Sequence, residues 1–303
     1  MNRRVFAQSL AAAAVAAASP SMPAASRISA AESSGDEGPF GISIMLWTVF
    51  NKLPFEQRLE KVAEAGYTNV ELVGEYKGWS TDQFASANAA RKRLGIRFDA
   101  TAGMKHGVAD PSSRDAMVAE LGEELKTMET LGIPAMIVLS GNIIPGVSRQ
   151  AQHDSCIETL KRMAASIEGK QIEGRPVKIL LECIDPEENS KIYLSSAAEA
   201  MEIVRKVNHP QVRFLYDLFH EQIAEGNLLE KLEKNIDTVD LIHIADVPGR
   251  HEPGTGEINY ANVYRKLGKL SYKGMVAMEF YPTGDPVTML RDQKKYAWAH
   301  ARG

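Results

Sequence analysis

Cysteine is scarce in this chain: Cys156 and Cys183 are the only two in 303 residues, and neither CxxC nor zinc-ligand spacing occurs. That excludes a disulfide framework as the source of stability, and both thiols are expected to be small buried hydrophobes. Basic charge is also in short supply. Against 39 Asp+Glu there are 35 Lys+Arg, a net charge of −4, which argues against a nucleic-acid partner, because such partners demand a basic face. Beyond the N-terminal thirty residues no apolar run reaches the roughly 18 residues of a bilayer span, so no membrane span is expected in the mature chain. Glycine-rich phosphate loops are missing too: neither GxGxxG nor GxxxxGK[ST] follows any apolar run. This disfavours dinucleotide- and nucleotide-binding sheets and counts against a phosphorylated substrate.

What is present starts with a leader. Asn2-Arg3-Arg4-Val5-Phe6-Ala7 is a twin-arginine motif, an uncharged Ala-rich stretch Leu10–Ala18 follows, and Ile28-Ser29-Ala30 offers small residues for cleavage. Charge, apolar stretch and small-residue site in that order resemble a twin-arginine export signal over residues 1–30, which predicts a periplasmic protein. The polar segment 31–39 reads as a linker. Residues 40–303 are left as one catalytic domain.

From Gly41 onward, short apolar runs alternate with longer helical patterns. Strands are predicted at Gly41–Trp47, Asn69–Leu72, Arg97–Thr101, Ala135–Leu139, Lys178–Leu181, Val212–Tyr216, Val239–Ile244 and Gly274–Glu279. Helices are predicted at Pro54–Ala65, Thr81–Leu94, Arg114–Leu131, Gln150–Glu168, Ser195–Val207, Leu228–Ile236, Tyr260–Leu267 and Pro286–Ala299. Apolar residues recur at three- and four-residue spacing in the helices, and Gly66, Gly95 and Gly132 supply C-cap signals. Strand–helix alternation implies parallel strands with right-handed crossovers, and eight units close a (β/α)8 TIM barrel. In that fold, chemistry belongs at the C-terminal ends of the strands.

Four of those ends carry ligand-type residues. Glu182 follows the fifth strand, Asp217 follows the sixth, His243 lies near the end of the seventh and Glu279 ends the eighth. A lone buried charge at such a place costs several kcal/mol, on the order of 2–7 for a polar group and more for an ion. Three carboxylates in one barrel mouth repel one another, and a divalent cation resolves that repulsion. Carboxylate oxygens with one imidazole suit Mn²⁺ or Mg²⁺, with Co²⁺ and Zn²⁺ tolerated.

The run Ile242-His243-Ile244-Ala245-Asp246-Val247-Pro248-Gly249-Arg250-His251-Glu252-Pro253-Gly254-Thr255-Gly256-Glu257-Ile258-Asn259-Tyr260 resembles the hydroxypyruvate isomerase family, within the xylose isomerase-like sugar isomerase/epimerase barrels. Leu181-Glu182-Cys183-Ile184-Asp185, Tyr216-Asp217-Leu218-Phe219-His220 and Met278-Glu279-Phe280-Tyr281-Pro282 echo it, and the likeness covers roughly 41–300. It implies Glu182, Asp217, His243 and Glu279 as metal ligands, with Glu182 and Glu279 as the acid/base pair. At His243 the chain follows ketose 3-epimerases, where hydroxypyruvate isomerases carry Gln; Cys183 and Asp185 stand for Pro and Asn.

The chemistry that fits is proton movement between adjacent carbons of a small hydroxy-carbonyl compound through an enediolate. A cation stabilises the oxyanion and a glutamate takes the proton. His220, Arg250 and Glu188 are candidates to hold substrate oxygens, with His106, in the loop after the third strand, a weaker one. Trp47 and Trp79 either wall the pocket or pack in the core. A lyase or dehydratase acting on keto-sugars shares the enediolate step, and a non-catalytic sugar-binding barrel is the remaining rival. An endonuclease of the apurinic-site type would need more histidines than the chain offers. Expected partners are a small-molecule sugar or hydroxy-keto acid and, because barrels of this kind often associate, a second copy in a homo-oligomer.

Overall fold

Side chains alternate across a strand, so in a closed barrel one set faces the axis and the other faces the surrounding helices. The computed structural model describes residues 38–303. The leader over 1–30 and the linker up to residue 37 lie outside the described residues. The strands are β1 (Gly41–Met45), β2 (Asn69–Leu72), β3 (Arg97–Thr101), β4 (Ala135–Leu139), β5 (Gln171–Ile172), β6 (Arg175–Pro176), β7 (Lys178–Glu182), β8 (Val212–Asp217), β9 (Val239–Ile244) and β10 (Met275–Met278). Eight of them close into an all-parallel barrel in the order β1-β10-β9-β8-β7-β4-β3-β2, while β5 and β6 pair as a small antiparallel hairpin. The helices are α1 (Phe55–Glu64), α2 (Thr81–Arg93), α3 (Arg114–Leu131), α4 (Arg149–Ile167), α5 (Ala197–Val207), α6 (Leu218–Ala224), α7 (Leu228–Asn235), α8 (Tyr260–Lys269) and α9 (Pro286–Ala301).

Two apolar layers follow from the alternation. Ile137, Leu180, Leu215, Leu241 and Ala277 fill the barrel axis with Met45. Their strand neighbours, such as Val138, Leu181, Phe214 and Ile242, face outward into the layer shared with the helices. The helices form where the pattern and the caps agree. Leu59 and Val62 bury one face of α1, Ser80 and Gln83 close a capping box at the start of α2, and Gly132 ends α3 in the left-handed region at φ 72°.

Two elements were not predicted. Helix α6 has seven residues, too few to show a helical period, and it starts because Asp217 accepts from the backbone N–H of Phe219 and His220. The β5–β6 hairpin rests on two-residue strands. At the strand ends, Glu182 and Asp217 fall inside β7 and β8, and β1 stops at Met45, where a 3₁₀ turn over Leu46–Thr48 takes over. Cys156 and Cys183 are free and buried. No helix among the described residues is long and apolar enough to cross a membrane.

Gly268 lets α8 lie against the end of α9: a Cβ there would stand 2.0 Å from the carbonyl oxygen of Ala301. Gly122, exposed within α3, has open space around it. Gly268→Ala is therefore expected to cost roughly 1–3 kcal/mol through overpacking, and Gly122→Ala to add about 0.5–1 kcal/mol through helix propensity. Denaturant unfolding of both variants checks the opposite signs.

Candidate metal centre and active site

The barrel register builds the site. Glu182, Asp217, His243 and Glu279 each lie two residues beyond an axis-facing residue, namely Leu180, Leu215, Leu241 and Ala277. The same parity turns all four inward, one layer above that apolar floor. They come from β7, β8 and β9, and from the residue after β10, four neighbours in the barrel wall. Asp217 and His243 are register partners, and the Glu279 N–H donates to the carbonyl of Ile244 at 3.1 Å. Ligand atoms of the four lie within 4.8 Å of one another, all buried.

Three of the four are oriented by further contacts. Asp217 spends Oδ1 on the cap of α6 and turns Oδ2 to Arg250 Nη2 at 2.9 Å. Glu279 accepts from Trp47 Nε1 at 2.9 Å and from Arg250 Nη2 at 2.6 Å. His243 stands between two carboxylates, with Nε2 2.9 Å from Glu71 and Nδ1 2.6 Å from Glu279. Burial works against charge on this imidazole, but Glu279 and Glu71 outweigh it and raise its pKa well above the usual value. Burial likewise opposes charge on Glu279, yet His243 and Arg250 hold its carboxyl well below the carboxylate range. Glu182 moves the other way: burial, reinforced by Glu279 and Asp217, lifts it above the range against the pull of His243. Two glutamates are thus pulled apart, one toward the ionised form and one toward the protonated form.

Arg250 reaches this centre because its loop is tied down. Asp246, fully buried, accepts four backbone N–H groups: those of Val247 and Ile258 at 3.0 Å, and those of Gly254 and Gly256 at 2.9 Å. Gly256 comes so near that a Cβ would meet the Val247 carbonyl oxygen at 2.0 Å. Arg250 itself sits in the left-handed region at φ 55°. Its guanidinium lies 4.7 Å from the centroid of the Phe219 ring. It pairs with Asp217 and Glu279, not with Asp246 or Glu252 of its own loop; Glu252 instead accepts from the backbone and hydroxyl of Thr283.

The other sequence candidates divide. His220, on α6, is buried with Nδ1 2.6 Å from Asp185 and Nε2 3.5 Å from Asp217. Burial opposes its charge, but Asp217, Asp185 and Glu182 prevail and raise it to about 9. Glu188 lies at the rim, more than half exposed, 3.8 Å from Arg250 and 3.9 Å from His220. His106 is not brought into the group. Glu120 of α3 accepts from the backbone N–H groups of Lys105 and His106 and pairs with the imidazole at 2.9 Å, so the loop folds back onto the helix. Trp79 packs edge-on against Phe55 and Phe84 and belongs to the helix layer. Glu71 and Asp185 were missed as site residues. Glu71 is an acid inside β2, an early strand, whereas the other four stand at or near the ends of the late strands.

A cation fits this donor set. Across an ion with bonds of about 2.1 Å, opposite donors stand roughly 4.2 Å apart, so a 4.8 Å cluster closes onto one with small side-chain shifts. His243 Nδ1 has no hydrogen-bond partner despite the nearby Glu279 oxygen, because that contact is bent away from hydrogen-bond geometry. A buried imidazole nitrogen that stands among carboxylate oxygens without a well-formed hydrogen bond is placed as a ligand atom. A cavity of about 720 Å³ opens at the opposite end, among strand-start residues including Arg175, Lys178, Arg213 and Asp240. Lys178 and Arg213 there both pair with Asp240, and Glu71 and Asp99 also line the cavity.

The family model of the xylose isomerase-like TIM barrel matches residues 59–299. The chain belongs to that family. The 2-oxo-tetronate isomerase of Haemophilus influenzae is 30% identical over 256 residues, covering 83% of this chain and 97% of the relative. The hydroxypyruvate isomerase of Escherichia coli is 26% identical over 245 residues, covering 79% and 93%. A crystal structure described as AP endonuclease, family 2, from Brucella melitensis superposes with a TM-score of 0.74 at 25% identity, covering 86% of this chain and 99% of that one. By class, this family member is an isomerase.

Two buried groups on α6 titrate with a common sign. Burial lifts Glu221 of α6 from 4.5 to about 7 against the pull of Lys231, and His220 rises from 6.5 to about 9. In both cases the folded state keeps a proton that the unfolded chain releases at lower pH, so stability falls as pH rises through the folded value. The metal-free protein is expected to lose thermal stability steadily from about pH 5 to about pH 9. Melting in chelator across that range checks it, and Glu221→Gln is expected to flatten the lower half.

Proposed function

We propose that this chain is a divalent-cation-dependent isomerase that shifts the carbonyl of a small hydroxy-oxo acid, of the hydroxypyruvate or 2-oxo-tetronate type, to the adjacent carbon. The observation that carries this reading is the convergence of three carboxylates and one imidazole, from four neighbouring strands, within 4.8 Å. Glu182, Asp217, His243 and Glu279 would hold the cation, Mn²⁺ or Mg²⁺ by their oxygen-rich donor set, with Co²⁺ or Zn²⁺ tolerated. When bound, the cation supplies Lewis-acid stabilisation of the enediolate oxygens.

The protein groups divide the remaining work. Glu279, held ionised by Arg250 and Trp47, is the base for the α-proton. Glu279 returns that proton to the former carbonyl carbon. Glu182, in the same cluster, carries the proton of the hydroxyl that becomes the carbonyl to the oxygen that becomes a hydroxyl. Arg250 and His220, both buried beside the ligands, offer a fixed guanidinium and imidazole to a substrate carboxylate, and Glu188 at the rim accepts from a hydroxyl. Paired donors explain why an oxo acid suits the pocket better than an uncharged sugar. The leader, outside the described residues, supports export of the folded enzyme to the periplasm.

Incubation with hydroxypyruvate and four-carbon 2-oxo hydroxy acids in heavy water with Mn²⁺ is expected to place deuterium at the carbon next to the carbonyl, and chelator is expected to stop it. Binding without exchange would leave a sugar- or acid-binding barrel instead. Glu279→Gln is expected to lower turnover by at least about a hundredfold while circular dichroism stays unchanged. Turnover at the parent rate would remove Glu279 from the chemistry.

A further inference from the structure

Glu71 has no part in the ligand set, yet it is among the least accessible charged groups described, at 0% exposure. It stands in the middle of β2, across the barrel interior from β9, and its Oε2 is 2.9 Å from His243 Nε2. The other oxygen, Oε1, is buried with no partner. Glu71 also lines the cavity at the strand-start end, but a half-paired carboxylate with no exposed surface is destabilising, and a methionine or leucine of similar size would fill the space without that penalty. The one strong contact it makes is to the face of His243 turned away from the other ligands. On the opposite face, Nδ1 looks into the cluster with no hydrogen-bond partner.

We infer that Glu71 is a positioning residue for the metal centre: it accepts the Nε2–H of His243 and so fixes the tautomer whose Nδ1 lone pair is free to ligate. A neutral imidazole carries one N–H, and the partner of that N–H decides which nitrogen is left to bind. Glu71 Oε2 is placed as an acceptor 2.9 Å from Nε2, so it holds the proton on Nε2 and locks the ring plane at the same time. Its negative charge also makes the ligating nitrogen a better donor, the usual effect of a carboxylate behind a metal-bound histidine. The inference rests on the proposed cation site, and it adds a fifth residue, from a strand that contributes no ligand.

Glu71→Gln keeps the shape but can donate as well as accept, so it removes the tautomer lock without opening a cavity. The expected result, read by titration calorimetry of the metal-free protein with Zn²⁺, is a tenfold to hundredfold weaker dissociation constant. Long-range ¹H–¹⁵N spectra of the Zn²⁺-loaded parent are expected to show His243 protonated at Nε2 and bound through Nδ1; a purely structural Glu71 would not alter that pattern in the variant. Unchanged Zn²⁺ affinity in a folded Glu71→Gln protein, or a parent spectrum with His243 bound through Nε2, would overturn the inference alone. A parent protein that takes up neither Zn²⁺ nor Mn²⁺ would overturn the proposed function and this inference together.

Discussion

Like charges do not share a dry space without a counter-charge, and that constraint organises the upper half of this barrel. Glu182, Asp217 and Glu279 bring three carboxylates within 4.8 Å of one another, and Glu71 adds a fourth behind His243. The protein answers with what it has. Arg250 bridges two of the acids, His243 sits between two, and Glu182 drifts toward its protonated form. Each of these responses is a partial neutralisation, and a divalent ion at the centre would complete it.

The supporting structure serves the same end. Asp217 uses one oxygen to start α6, which fixes where its other oxygen points and where His220 stands. Asp246 gathers four backbone N–H groups so that a long loop presents one guanidinium at a defined spot. Asp185 plays the corresponding part on the other flank, accepting from the backbone of Glu187 and Glu188 while it holds the His220 ring. Precision at the mouth therefore comes from carboxylates that cap a helix, tie a loop and hold an imidazole.

Much of this was legible in the sequence because strand parity is local. An acid or histidine at the end of an apolar strand in the late half of a barrel has one place to go, and Glu182, Asp217, His243 and Glu279 went there. Contacts between distant segments were not legible. Arg250 has Asp246 and Glu252 as its nearest acids in the chain, yet the loop turns it toward Asp217, 33 residues away. His106 was expected at the pocket, but a glutamate on α3, 14 residues on, captures it. Helix α6 is too short to declare itself, and Glu71 hid inside a four-residue strand where one acid resembles ordinary alternation.

The backbone at Arg250 is held where a Cβ is unwelcome, at φ 55°. Glycine would relax that position, and holding a bulky side chain there costs on the order of 1–3 kcal/mol. Selection for stability alone would drift toward glycine and lose the guanidinium. That a long cationic side chain stands there marks the loop as a place where durability has been surrendered for reach, so thermostabilising redesigns of this barrel ought to leave residue 250 untouched.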